Sequence, residues 1–131
     1  MTLVAAGRDV RIRELGAGAS LVAGAIYALI GFGVISVGTT TSGASTDLFA
    51  FGMIMAAGSV AIAAAMLRST SRDVAIAIAA LELIVIVGYF LVAGVRVPPV
   101  EAWGLSIKVL QAVVLASAAA VARHTRRATA R

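Results

Sequence analysis

Apolar residues fill four long runs of this chain, and the short polar stretches between the runs carry most of its charge. Leu15 to Gly38 holds 24 residues without a charged side chain, and Leu48 to Leu67 holds 20. Val74 to Val95 holds 22 with one acid, and Val100 to Ala122 completes the set with Glu101 near its start and Lys108 inside it. About 20 predominantly apolar residues in a helix cross the ~30 Å hydrocarbon layer of a bilayer. Each run therefore predicts one transmembrane helix. The first is also too long for the ~7–15-residue apolar core of a cleaved signal.

This pattern predicts an all-α membrane protein with a transmembrane domain over 15–122 and spans at about 15–38, 48–67, 74–95 and 100–122. A basic segment, 1–14, precedes the domain and a basic tail, 123–131, follows it. The start, Thr2 to Ala6, fits part of a short amphipathic helix on the membrane surface, and at least as well a disordered tip. The connections are short: Thr39 to Thr46 is rich in hydroxyls, Arg68 to Asp73 is a compact turn, and Arg96 to Glu101 contains Pro98 and Pro99. A residue before proline is pushed out of helical geometry, and proline is tolerated in a helix's first turn, so this last connection is stiff. Asp47 and Asp73 precede apolar runs and predict helix N-caps, because a short carboxylate accepts from free amides of the first turn. Short connections predict an antiparallel, up-and-down four-helix bundle.

Composition agrees, since 61% hydrophobic residues and a mean hydropathy of +1.04 exceed what a soluble core of 131 residues can bury. Aromatics make up 5%. Packing should therefore run through small side chains, and these recur every four residues: Gly16, Ser20, Gly24 and Ala28; Gly52 and Ala56, with Ala57, Ala61 and Ala65; Ala112, Ala116 and Ala120. Such faces predict a homo-oligomer or a place in a larger membrane complex.

Charge sets orientation. Lys and Arg number three before the first span, none after it, two between the second and third, one between the third and fourth, and four after the last. With both termini cytoplasmic, nine lie inside and one outside, as the positive-inside rule requires, so the chain should be multi-pass in the cell membrane. The net charge of +5 then points to anionic lipid at the cytoplasmic face rather than to nucleic acid. Trp103, Arg123, Arg126, Arg127 and Arg131 are the candidate headgroup contacts.

Chemistry is sparse. There is no cysteine, the sole histidine is His124 in the tail, and Met53, Met55 and Met66 read as soft apolar fillers. No nucleophile, base and orienting group fall at one depth, so no enzyme, metal or cofactor is expected. Glu82 and Lys108 are the exceptions, each costing ~2.5–3.5 kcal/mol at mid-membrane even on the lenient insertion scale. Ala75, Ala79, Glu82, Ile86 and Tyr89 share one helical face. Counting from Pro98, Glu82 and Lys108 differ by six residues, ~9 Å of rise, while Tyr89 lies closer in depth to Lys108. Glu82, Tyr89, Lys108 and Gln111 thus form a candidate buried polar cluster, serving helix register or a transport path. The function expected is a non-enzymatic accessory, assembly or interaction component; the alternative is a small ion- or proton-coupled transporter or channel centred on Glu82.

Overall fold

The computed structural model describes residues 3–40, 47–92, 96–98 and 100–129. It is all-helical apart from one two-residue strand pair, with α1 at Leu3–Gly31, β1 at Thr39–Thr40, α2 at Leu48–Arg68, α3 at Arg72–Val92, β2 at Arg96–Val97 and α4 at Ala102–Thr129. All four helices are long and apolar enough to cross a membrane. β1 and β2 pair antiparallel, Thr39 with Val97 and Thr40 with Arg96, tying the first connection to the third.

Helix ends follow from local chemistry. Asp47 caps α2 by accepting from Ala50 N–H at 3.0 Å, as its position predicts. The start of α1 lies well before residue 15, so the basic segment is helical from Leu3. Its end, Gly31, corrects the expected span of 15–38. Gly33 adopts φ +72°, its N–H reaches Ile30 O at 3.0 Å, and Val34 N–H reaches Leu29 O at 2.9 Å. That is the glycine-terminated close in which a left-handed residue satisfies the last carbonyls. Apolarity continues to Gly38 without the helix, because Ile35 is buried against Ala23, Tyr27, Ile30 and Ile107. Residues 41–46, 93–95 and 99 lie outside the described residues, so neither most of the hydroxyl-rich loop nor Pro99 is described.

α1 is the hub. It packs against α2 and α4, α3 packs against α4, and α2 and α3 scarcely meet although they are consecutive. The stripe of Gly16, Ser20 and Gly24 is the seam: Gly16 lies on Met66 and Ser117, Gly24 on Ser59, and Ser20 Oγ donates to Ser59 O at 2.8 Å. Further along, Gly31 and Gly52 touch backbone to backbone. The stripe on α4 is turned outward instead, since Ala112 and Ala116 are exposed while Gln111, Val114, Ser117, Ala118 and Val121 are buried. Ala57 and Ala61 on α2 are likewise exposed. Two apolar clusters result, one around Ala17, Met66, Ile78 and Val114, the other around Tyr27, Ile30 and Ile107.

Candidate functional site

Between the two apolar clusters the core turns polar. α3 brings Glu82 inward on the face of Ala75 and Ile78, and α4 brings Lys108 and Gln111, three residues apart and so on one side. All three are buried, at 4%, 6% and 5% exposed. These residues stand where the seam of α4 faces both α1 and α3.

The ammonium of Lys108 donates to Oε1 of Gln111 and lies 5.1 Å from the centre of the Tyr89 ring. A cation over an aromatic face is attracted by the ring quadrupole, more strongly where water is excluded. Tyr89 is in turn an acceptor at its hydroxyl for Glu101 N–H at 3.5 Å. The hairpin register counted from Pro98 thus brings Tyr89, Lys108 and Gln111 together. Glu82 meets the same Gln111 side chain without touching Lys108 directly. Among the described residues no ion pair within 4 Å joins it to Lys108, and its Oε2 is buried with no hydrogen-bond partner. The carboxyl faces Gln111 and feels the Lys108 charge at longer range.

Tyr27 is the member the sequence did not reveal. It is 5% exposed, its phenol meets the Gln111 side chain, and its ring packs edge-on to Phe51 with centroids 5.9 Å apart. The cluster therefore draws on α1, α3 and α4. Only a short list of polar side chains in the first span, including Ser20 and Tyr27, hinted at it.

A second polar region lies at the end of the bundle that holds the α2–α3 turn. The Arg13 guanidinium donates to Ser69 O and, at 3.4 Å, to Met66 O. It covers the carbonyls that the end of α2 leaves unpaired, where a cation also complements the helix dipole. Asp9 and His124 meet at 2.5 Å, joining the start of α1 to the last turns of α4. At the opposite end Glu101 accepts from Gly38 N–H. Of the headgroup candidates, Trp103 is half-exposed and Arg123 exposed. Arg131 and the side chains of Arg126 and Arg127 lie outside the described residues. Among the described residues no group of three or more His, Cys, Asp or Glu could hold a metal ion.

Comparison with known proteins gives no matching family model, no matching curated protein and no matching solved structure, so function must be argued from these residues.

Proposed function

We propose that the chain is a multi-pass protein of the cell membrane, an antiparallel four-helix bundle with both termini cytoplasmic, acting as a non-enzymatic accessory or assembly component through its outer helix faces. Antiparallel order is supported by the seam, in which Gly16, Gly24 and Gly31 meet Met66, Ser59 and Gly52 in reverse sequence. Orientation is supported by the nine-to-one distribution of basic residues. The basic tail then lies at the cytoplasmic leaflet, where each Lys or Arg near an anionic surface contributes about 1 kcal/mol.

One observation carries the interaction reading. Within the spans of α1 and α4, 44% and 39% of residues are buried inside the chain, but only 17% within each of α2 and α3. The two helices that are least used internally also carry Gly58 and Gly88, whose outward sides meet nothing within 4 Å. Small residues on an open face let another helix approach closely. Cysteines at Gly58 and Gly88 should therefore give cross-linked adducts of defined mass in native membranes; a chain that never cross-links at either position refutes the reading. Topology is tested separately with single cysteines at Ser42, Ser69 and Thr125 and an impermeant thiol reagent on intact cells. Labelling is expected at Ser42 alone, and labelling at Ser69 sinks the orientation.

The transport reading is favoured by a different observation, the unpartnered buried oxygen of Glu82. Flux through purified protein in proteoliposomes, lost in Glu82→Gln, would select it over the accessory role.

A further inference from the structure

Hydrogen-bond donors without acceptors gather where the start of α1 meets the α2–α3 turn. The Arg13 guanidinium is fixed from one side, because its Nη1 donates to Met66 O at 3.4 Å and to Ser69 O. Among the described residues its Nη2 and Nε meet no acceptor, which leaves one edge of a planar cation free. The hydroxyl of Ser69 accepts from Ser71 N–H at 3.1 Å, and that of Ser71 accepts from Val74 N–H at 3.5 Å. Neither hydroxyl donates its own hydrogen to an acceptor among the described residues. Arg68 and Arg72 flank the same turn, and none of Arg13, Arg68 and Arg72 lies within 4 Å of a carboxylate among the described residues. Glu14 and Asp73, the acids nearest in sequence, are exposed.

These donors border an opening of about 230 Å³, counted out to its mouth, whose interior is apolar. Ala65 and Met66 of α2 line one side, Val74 and Ile78 of α3 the other, and the buried Ala118 and Val121 of α4 close it inside. It exists because α2 and α3, although consecutive, scarcely meet. Ala65 and Val74 are only half-buried, so the apolar sides continue outward to whatever surrounds the helices. Arg13 stands two residues before the apolar run that begins at Leu15, and Arg68 directly follows the run that ends at Leu67. The donors therefore sit where the spans meet the headgroups, and the apolar sides run from there into hydrocarbon.

We propose that this opening seats one anionic phospholipid, its phosphate on the free edge of Arg13 and the Ser69 and Ser71 hydroxyls, with an acyl chain along the apolar sides of α2 and α3. A guanidinium and hydroxyls together match phosphate oxygens in charge and geometry. A free anion would use the donors alone and leave the apolar sides bare, whereas a lipid uses both. A zwitterionic headgroup would bring its ammonium towards Arg68 and Arg72, which an anionic one avoids. The proposal rests on the membrane-spanning reading and goes beyond the general attraction of the tail to the leaflet, because it requires fixed donors and one lipid per chain.

The test takes the full chain in dodecyl maltoside micelles, with phosphatidylglycerol and phosphatidylcholine as probes, and counts the lipids retained per chain by native mass spectrometry. One phosphatidylglycerol is expected to stay bound, several-fold in excess over phosphatidylcholine, and to survive added salt that screens attraction at the exposed tail. Arg13→Gln should lower retention several-fold, while Arg123→Gln should leave it unchanged. Arg13 also covers the end of α2, so Ala65→Leu serves as the second variant: it narrows the opening, leaves the cation in place, and should lower retention with helicity intact. Equal retention of the two lipids, or a loss in Arg123→Gln as large as in Arg13→Gln, overturns the seat. Unchanged retention in Ala65→Leu, or displacement of the lipid by inorganic phosphate, shows an anion site without an acyl chain and overturns the lipid as its occupant. A failed spanning reading appears instead as a chain that stays dispersed in water without detergent, which keeps the two failures distinguishable.

Discussion

Gly52→Ala is the sharpest probe of how α1 and α2 cross. A Cβ at Gly52 would stand 2.6 Å from Cα and N of Gly31 and from O of Tyr27. All three are backbone atoms on α1, so no side chain can swing aside. Reaching ordinary contact at 3.4 Å requires the helices to part by about 0.8 Å along their seam. Overpacking of this kind costs about 1–3 kcal/mol, and the upper part of that range applies where only rigid elements can move. Alanine's better helix propensity returns about 0.8–1.0 kcal/mol, leaving a net loss near 2 kcal/mol. Gly58→Ala on the same helix meets nothing within 4 Å, so it should be neutral or gain up to about 1 kcal/mol. The assay is denaturant titration of helicity in mixed micelles, comparing midpoints of the two variants with the parent chain. A Gly52→Ala midpoint equal to or above that of Gly58→Ala would show that α1 and α2 do not cross this closely.

Glu82→Gln should cost less than the about 3–5 kcal/mol that follows removal of one partner from a buried ion pair, because no direct pair with Lys108 exists to break; a thermal-melt loss of that full size would contradict the geometry. Lys108→Met should be worse than Glu82→Gln, since it strips the ammonium from both Gln111 and the Tyr89 ring, and equal melting temperatures would argue against those contacts. Arg13→Ala should lower stability by about 0.3–2 kcal/mol through loss of the charged cover on the α2 carboxyl end, with Arg13→Lys recovering part of it; hydrogen exchange unchanged around Met66 to Ser69 would oppose this. Asp9→Asn and His124→Ala should be non-additive, with a coupling of about 1 kcal/mol or less for so solvent-accessible a contact, read from a double-mutant cycle in which strict additivity is the refuting result.

Much of the architecture was legible in the linear pattern because a bilayer imposes one dominant rule: apolar runs of sufficient length become helices with all backbone groups paired internally. That rule marked the four helices, the cap at Asp47 and the inward face of α3 through Ala75, Glu82 and Tyr89. It failed at the end of α1. Hydropathy continues to Gly38, but only the backbone preference of Gly33 for positive φ reveals where the helix stops. Gly31-Phe32-Gly33 was the available signal, and the uninterrupted apolar run concealed it.

Tertiary structure decided what periodicity cannot rank, namely which of several small-residue stripes faces protein. In lipid, an alanine stripe turned outward is as comfortable as one turned inward, so Gly16, Ser20 and Gly24 form a seam while Ala112 and Ala116 do not. It also decided partners at a distance: Arg13 on the end of α2, His124 on Asp9, and Tyr27 beside Gln111. Sequence alone determined that Glu82 and Lys108 must be sheltered from lipid, because burying either charge there is costly. Only the packing of α1 and α3 on α4 determined how they are sheltered, Lys108 by Gln111 and Tyr89, and Glu82 by the same Gln111 with one oxygen left open.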